Sequence, residues 1–297
     1  MFPWLANTFE NISQRLSSNK LHHALLLQGP AGLGKTTFAK ALARLLLCAN
    51  RQGSQVCGQC QACHLNAANT HPDLHVIESD KQIGVDQIRD AIKKLVGSAQ
   101  MSGAKVLIIY HAHTMTESSA NALLKTLEEP TNNTFLILTT DKPNRLLPTI
   151  KSRCEKLALP LPDFGTTLTW VKDQYAGDID VNFAKLFADR PLALLAELQE
   201  EQLFTYQMFS SGVNQLLNGQ TQAMHLAVEW QDNADKVLKW IQYWARQKCT
   251  EQASDQMWAI NQQAIKVTQQ LNNPSLNKVL VLTALLDKLA DLKATSS

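Results

Sequence analysis

The sequence predicts an α/β fold, in which a parallel β-sheet flanked by helices precedes a region made of helices alone. From about residue 20 to residue 160, short apolar runs alternate with segments of helical periodicity, as in a sheet with crossover helices. A glycine-rich loop follows the first apolar run and opens a helix. Between Pro191 and Pro274 the chain has no proline, and apolar residues recur at helical spacing.

Four strands are predicted in the first region, each rich in Leu, Ile and Val, as expected of strands buried on both faces. They are Ala24–Gln28, Leu74–Ile77, Lys105–Tyr110 and Thr134–Thr140. Helices fill the gaps between them. One begins in the glycine-rich turn and runs through Thr37 to Leu47, and another has an apolar face from Ala120 to Leu127. The second helix must end near Pro130, because proline disfavours helix in the residue before it.

Composition and charge exclude several classes of protein. With 297 residues, 45% of them hydrophobic and 18% charged, the chain reads as a globular protein of two or three domains. A net charge of +2 creates no strong general field, so tight autonomous DNA binding is not expected. No apolar run approaches the roughly 20 residues that span a bilayer, and residues 1–7 do not resemble a signal peptide. A cytoplasmic location is therefore expected.

A phosphate-binding loop is predicted at residues 29–36. The segment Gly29-Pro-Ala-Gly32-Leu-Gly34-Lys35-Thr36 matches G-x-x-x-x-G-K-[ST] and lies between a predicted strand and a predicted helix. Backbone N–H groups and the helix N-terminus of such a loop face phosphates, while the lysine reaches the β and γ phosphates and the hydroxyl holds Mg²⁺. The alternative is a chance glycine-rich turn. The predicted nucleotide-binding residues are Gly29, Gly32, Gly34, Lys35, Thr36 and Thr37.

The acidic pair that an ATPase of this type needs is missing. A carboxylate at the end of a second apolar strand normally holds the metal ion, and in AAA+ ATPases a following Glu polarises the attacking water. Here Tyr110 and His111 stand at those positions. Neither provides an anionic ligand at neutral pH. His111 could act as a base, although a surface histidine at a strand end is the more common case.

Four of the six cysteines lie within sixteen residues, as Cys48-x8-Cys57-x2-Cys60-x2-Cys63. In a reducing compartment such crowding favours metal ligation over disulfides, and four thiolates suffice for a closed tetrahedral Zn²⁺ site. The sequence therefore predicts structural zinc bound by Cys48, Cys57, Cys60 and Cys63. Free thiols, or His64 in place of one cysteine, are the alternatives. Cys154 and Cys249 are isolated and are read as ordinary thiols.

Three stretches, together with the four-cysteine insertion, resemble the shared core of bacterial clamp-loader subunits, a group of AAA+ proteins. They are Asn121–Pro130, Thr134–Thr140 and Ile150–Cys154. Within that family, Tyr110-His111 departs from the acidic pair of the gamma/tau motor and is similar to the non-motor members. The same holds for Pro3–Leu5, His22–Leu26 and Thr70–Asp73. The lid stretch 188–193 places Ala193 where motors carry a nucleotide-sensing arginine, with Arg190 nearby.

The resemblance implies a domain organisation and a set of partners. An AAA+ domain would cover residues 1–161, with its zinc insertion at about 48–72. A helical lid would cover 162–203, and a helical collar for oligomerisation 204–297. The chain would join delta and gamma/tau subunits in a pentameric ring that opens the sliding clamp and places it on primed DNA. Zinc would be its structural cofactor, with ATP or ADP as an additional ligand.

The resemblance also implies a role for Arg153, which would point into the ATP site of the adjacent motor subunit and act there in trans. Spacing alone favours a surface or salt-bridged arginine. Thr139 or Thr140 matches the γ-phosphate sensor position, read here as a relic or a nucleotide contact. Asn121, Lys125 and Glu128 have helical spacing typical of a solvated polar face, and no catalytic role is assigned to them.

Two other functions compete with a ring member that lacks its own turnover. The first is an ATP-hydrolysing gamma/tau-type motor or another AAA+ ATPase, which an acidic residue at position 110 or 111 would have favoured. The second is a P-loop kinase or nucleotide transferase with a zinc-bound lid. That class requires a substrate-binding arginine cluster and a catalytic carboxylate, and it leaves the match from Asn121 to Cys154 unexplained.

Overall fold

The structure is a computed structural model. It describes residues 1–79, 81–101, 103–200, 204–251, 255–270 and 277–291. Within these residues the chain forms two compact units. The first comprises residues 1–170 together with 189–193, and the second comprises 171–188 and the residues from 194 onward. The three-part division into AAA+ domain, lid and collar remains a prediction.

A five-stranded parallel sheet forms the centre of the first unit. Its strands are β1 (Ala24–Gln28), β2 (Leu74–Ile77), β3 (Lys105–Ile109), β4 (Thr134–Thr140) and β5 (Glu155–Ala158), in the spatial order β2-β3-β4-β1-β5. The four predicted strands are present, except that β3 ends one residue earlier. The fifth strand, β5, was not predicted, because this edge strand has the sequence Glu155-Lys-Leu-Ala158 and lacks the apolar run of the others.

Helices connect the strands and cover both faces of the sheet. In the first unit they are α1 (Ala6–Ser17), α2 (Lys35–Leu47), α3 (Gln61–Ala67), α4 (Val85–Leu95), α5 (Glu117–Glu128) and α6 (Pro148–Arg153). The apolar side of α2 packs with α1 on one face of the sheet, and α4 and α5 pack on the other. The α2 helix begins at Lys35, inside the glycine-rich loop, as predicted.

Alternation along the strands divides the core into two layers, because successive side chains of a strand point to opposite faces. Leu25 and Leu27 lie on the α2 face of β1, whereas Ala24 and Leu26 lie on the α5 face. The residue after β3, Tyr110, continues the alternation of Val106 and Ile108 onto the α2 face. The Tyr110 side chain therefore points into the core on the α2 face of the sheet.

The second unit is helical, as predicted. Beyond the end of α7 (Phe164–Gln174) and part of α9 (Pro191–Gln199), it contains α8 (Val181–Lys185), α10 (Tyr206–Leu217), α11 (Ala223–Trp230), α12 (Ala234–Glu251), α13 (Asp255–Gln270) and α14 (Lys278–Ala290). Apolar side chains of these helices face the core. In α14, for example, Leu282, Leu286 and Leu289 are each 0% exposed. An aromatic cluster around Trp240 and Phe209 forms the core of this unit. No helix among the described residues is long and apolar enough to cross a membrane.

Candidate nucleotide and metal sites

The phosphate loop joins β1 to α2, and its backbone geometry requires glycine at two positions. Gly32 and Gly34 have positive φ angles of 82° and 103°, which side chains with a β-carbon rarely adopt. A β-carbon at Gly32 would lie 2.7 Å from the Ala193 Cβ, and one at Gly34 would lie 2.6 Å from the Phe2 ring. Thr36 and Thr37 lie in the first turn of α2. Thr36 is half-buried, and Thr37 is exposed. The loop therefore has the strand-loop-helix context that phosphate binding needs.

Lys35 folds back onto its own loop. Its ammonium Nζ donates hydrogen bonds to the carbonyl oxygens of Gly29 and Pro30, both at 2.7 Å. Burial lowers the pKa of Lys35 to about 8, with the negative charge of Asp141 opposing this shift and the positive charge of Arg190 adding to it. A nucleotide phosphate would have to replace the two carbonyls as the partner of this ammonium.

Two further segments of the first unit hold the loop. The Trp4 indole N–H donates to the Leu33 carbonyl at 2.9 Å, which gives the predicted Pro3–Leu5 signature a structural role. On another side, the backbone N–H of Leu192 donates to the Gly32 carbonyl at 3.1 Å. Ala193 is thus in contact with the loop at the position where motors carry their sensing arginine. A methyl group there contributes no charge toward a phosphate.

Tyr110 fills the position of the metal-binding carboxylate. Its side chain is fully buried in the core on the α2 face, and the Lys40 ammonium lies 5.9 Å from the centre of its ring. Its hydroxyl is buried and has no hydrogen-bond partner among the described residues. Burial, with a smaller contribution from Glu78, raises the pKa of Tyr110, so the phenol stays neutral. Position 110 therefore offers a neutral phenol in the core in place of a carboxylate.

His111 and the two sensor-position threonines lie together where β3 and β4 end. His111 has a positive φ of 50° and is exposed, and its backbone N–H donates to the Thr139 hydroxyl at 3.2 Å. The Thr140 hydroxyl accepts the Lys142 N–H and lies 3.2 Å from Nδ1 of His113. Both threonines are thus engaged inside the chain. His111, His113 and Asp141 form a group whose ligand atoms lie within 4.8 Å of one another.

The four predicted cysteines come together between the end of α2 and the start of α3. Three Sγ–Sγ distances are 3.7 Å for Cys48–Cys57, 3.9 Å for Cys57–Cys63 and 3.6 Å for Cys63–Cys48, and Cys60 completes the group. Four thiolates at about 2.3 Å from a tetrahedral zinc would be separated by about 3.8 Å. The cluster could therefore hold a metal ion such as zinc. His64 is exposed and is not part of the group.

Backbone N–H groups point at the sulfur atoms. The amide of Cys60 lies 3.3 Å from the Cys57 Sγ, and the amide of Cys57 lies 3.3 Å from the Cys48 Sγ. Hydrogen bonds from the backbone of Gln59 and Cys60 hold the pKa of Cys57 below its usual value. Such donors favour the thiolate, which is the form that binds metal. The backbone of the insertion thus favours the thiolate at Cys57, whereas burial raises the pKa of Cys63 to about 12.

Arg153 is the last residue of α6 and lies at the surface. Its Nε donates to the Glu128 carboxylate at 2.6 Å, and its Nη1 donates to the Thr149 carbonyl at 3.0 Å. The side chain is 32% exposed, so the guanidinium is oriented by its own chain and also accessible from outside. Glu128 therefore has a defined partner. Helical spacing had indicated only a solvated face for it, and the partner lies in a different element.

A second signature has a structural explanation. The Asp73 carboxylate accepts the backbone N–H groups of Gln100 and Met101, at 2.8 and 2.9 Å. The His71 Nδ1 accepts the N–H of Asp73 at 3.1 Å. The Thr70–Asp73 stretch thus anchors the chain that leads into β3. The family resemblance included this stretch. Its structural role, which is to bind the loop at Gln100 and Met101, is visible only in the fold.

The parallel sheet, the phosphate loop, the cysteine insertion and the helical C-terminal region define an AAA+-like protein. A family model described as "DNA polymerase III, delta subunit" matches residues 4–163. The DNA polymerase III subunit delta' of Yersinia pestis is 35% identical over 94% of this chain and 85% of that protein. The corresponding subunit of Pseudomonas aeruginosa is 41% identical over 67% of this chain and 57% of its own length.

Among solved structures, a gamma subunit-related protein from Thermotoga maritima has a TM-score of 0.53 and 19% identity. That comparison covers 97% of this chain and 99% of the other, and it supports the fold. The chain belongs to the family of DNA polymerase III delta' subunits, which are clamp-loader subunits of that holoenzyme. The sequence-based choice of this branch over the gamma/tau branch is confirmed.

Proposed function

We propose that this chain is a ring member of a clamp loader, which joins delta and gamma/tau subunits and helps them place the sliding clamp on primed DNA. Family membership supports the partners, and the helical second unit supplies a region that can take part in ring assembly. In this role the AAA+ domain covers residues 1–161, the lid 162–203 and the collar 204–297. The chain works in the cytoplasm and contacts DNA only within the complex.

The chain does not hydrolyse ATP itself in this proposal. The observation that carries this step is the burial of Tyr110, whose ring occupies the position of the metal-binding carboxylate. Phosphoryl transfer depends on a metal ion that neutralises charge on the phosphates, and on a residue that orients the attacking water. Without the acidic pair, the phosphate loop can bind ATP or ADP through Gly29, Gly32, Gly34, Lys35, Thr36 and Thr37, but it cannot support turnover.

Arg153 acts instead at a neighbouring motor subunit. Its guanidinium is accessible at the surface, and Glu128 and the Thr149 carbonyl orient it through Nε and Nη1. An arginine supplied in trans stabilises charge that develops on the γ-phosphate, with effects of about 10³ to 10⁵ on rate in arginine-finger enzymes. An arginine fixed by two partners loses less side-chain entropy when it enters such a site.

The four cysteines hold one structural Zn²⁺. Their sulfur separations of 3.6 to 3.9 Å agree with the edges of a tetrahedral zinc–thiolate site. All four positions of the metal are then filled by the protein, so the ion fastens the insertion and leaves no position for a substrate. The backbone amides directed at Cys48 and Cys57 support the same assignment.

The role of Arg153 is tested in reconstituted clamp-loader complexes. Arg153→Ala should leave zinc content and ring assembly unchanged and should lower clamp- and DNA-stimulated ATP hydrolysis. The loss should be partial, because only one motor site in the ring faces this subunit. Arg153→Lys should be nearly as damaging, since an ammonium cannot reproduce the planar fork of the guanidinium.

Arg89→Ala is the matched control, because Arg89 is an exposed arginine on α4 that pairs only loosely with Asp86, at 3.9 Å. Complexes that carry Arg89→Ala should hydrolyse ATP at the rate of the unaltered complex. If Arg153→Ala complexes also hydrolyse ATP and load clamps at that rate, Arg153 has no role in trans, and the subunit acts as a scaffold alone.

A further inference from the structure

A group of potential metal ligands lies outside the cysteine cluster, where β3 and β4 end. It consists of His111, His113 and Asp141, whose ligand atoms all lie within 4.8 Å of one another. The parallel strands end at the same edge of the sheet, and the turns that follow them bring the three side chains together. The phosphate loop follows β1 at this same edge, beside β4. None of the roles proposed above uses this group.

The separation of two of these ligands agrees with a metal site. Nδ1 of His113 and Oδ1 of Asp141 are 3.3 Å apart. Two ligands at about 2.0 to 2.2 Å from a tetrahedral zinc are separated by about 3.3 to 3.6 Å. The imidazole of His111 is exposed on the solvent side of the pair, and it can rotate about its side-chain torsions to become the third ligand.

The Asp141 carboxylate also has an oxygen that a metal ion can use as a ligand. Its Oδ1 is buried and accepts no hydrogen bond from the described residues, apart from its short approach to His113. A bound cation would satisfy this buried oxygen.

We propose that His111, His113 and Asp141 form a second metal site, which binds a divalent transition-metal ion and which we assign to Zn²⁺. Two histidines and one carboxylate are a ligand set that selects such ions over Mg²⁺, which prefers oxygen ligands alone. Three protein ligands leave one position of a tetrahedral ion open. The positive charges of Lys142 and Arg145, which act on His113, favour an anion at that position.

The second site is tested by titrating Zn²⁺ into the full chain after its cysteine cluster has been loaded with one equivalent. Calorimetry should detect a second equivalent with a Kd of about 10 µM or tighter, and X-ray absorption should show nitrogen and oxygen ligands for it. His113→Ala and Asp141→Asn should weaken the second equivalent by about a hundredfold or more and leave the first unchanged.

His111→Ala keeps the test valid if a change at a buried position unfolds the chain, because the side chain of His111 is exposed. It should also weaken the second equivalent, whereas His225→Ala, a change at an exposed histidine on α11, should not. The absence of a second equivalent in the unaltered chain would overturn the proposal. A second equivalent that survives in all three ligand variants would also overturn it, because the ion would then bind elsewhere.

Discussion

At the scale of single residues, two side chains limit what the phosphate loop can do. Tyr110 removes the carboxylate that would hold a metal ion and replaces it with a neutral ring in the core. Lys35 keeps its ammonium but places it on the carbonyls of Gly29 and Pro30. In the proposed role the first change prevents turnover, and the second requires a phosphate to replace two hydrogen bonds.

The buried Tyr110 hydroxyl leads to a stability prediction. Because it has no hydrogen-bond partner among the described residues, Tyr110→Phe should leave the free energy of unfolding unchanged or raise it by about 1 kcal/mol. Tyr110→Asp should lower it by about 3 kcal/mol or more, because it leaves a cavity and buries a carboxylate. Urea denaturation measures both. A loss of about 2 kcal/mol in Tyr110→Phe would mean that the hydroxyl has a partner after all.

The pKa of Lys35 leads to a pH prediction for nucleotide binding. Below its pKa of about 8 the side chain is charged and can bind phosphate, and above that value it is neutral. A bound phosphate raises the pKa of the lysine that contacts it. The affinity for nucleotide must therefore fall as the pH rises through the pKa that Lys35 has in the nucleotide-free chain. Between pH 7 and pH 9 the affinity for ADP should fall about tenfold. In Lys35→Ala, ADP binding should be very weak at both pH values. If the affinity of that variant for ADP also fell about tenfold between pH 7 and pH 9, the pH dependence would belong to another group.

At the scale of elements, the insertion between α2 and α3 depends on its cysteines more than on a core of its own. Residues 49–60 contain no helix and no regular strand, and most of them are exposed. Cys48 at the end of α2 and Cys63 within α3 connect the insertion to regular structure. A bound ion would therefore hold a segment that has little apolar area to bury.

Metal removal should loosen this insertion before the rest of the first unit. Chelation, or the change Cys60→Ser, should raise hydrogen exchange at residues of about 48–72, while the amides of β1 and β4 keep their protection. Metal analysis of the untreated chain should show zinc bound at the cysteines. Cys249→Ser is the control, because Cys249 lies outside the cluster. Unchanged exchange after complete chelation would contradict a structural role for the ion.

At the scale of the whole molecule, the chain combines a retained phosphate loop with an exposed Arg153. The loop lies at the end of β1, while Arg153 lies at the end of α6, on a separate surface element next to Glu128. In the proposed role the subunit binds nucleotide in its own loop and acts on a neighbour with Arg153. Mutation can separate these two proposed activities, because they share no residue.

The purified chain should bind ADP and hydrolyse ATP negligibly. Turnover should lie far below about 1 per second, the lower end of ordinary enzyme rates, because no acidic residue is present at position 110 or 111. Lys35→Ala should abolish binding without lowering the melting temperature by more than a few degrees. Turnover near 1 per second that disappears in Lys35→Ala would show instead that the chain is a motor with an unusual metal site.

The sequence by itself determined the parallel sheet, the helical C-terminal region, the phosphate loop and the cysteine group. These features depend on local pattern: apolar runs, helical periodicity, glycines at fixed offsets and closely spaced thiols. It did not reveal β5, because an edge strand needs apolar contacts on fewer sides and its alternating sequence carries a weaker signal.

Only the tertiary structure decided which distant residues meet. It paired Glu128 with Arg153 across 25 positions, and it placed Ala193 against Gly32 across the whole of the first unit. It also brought His113 and Asp141 to the same sheet edge. The last of these contacts follows from the order of the strands, since β3 and β4 are neighbours and the residues that follow them meet at one edge of the sheet. A pattern of single residues contains no record of that order, and so the contacts had to come from the fold.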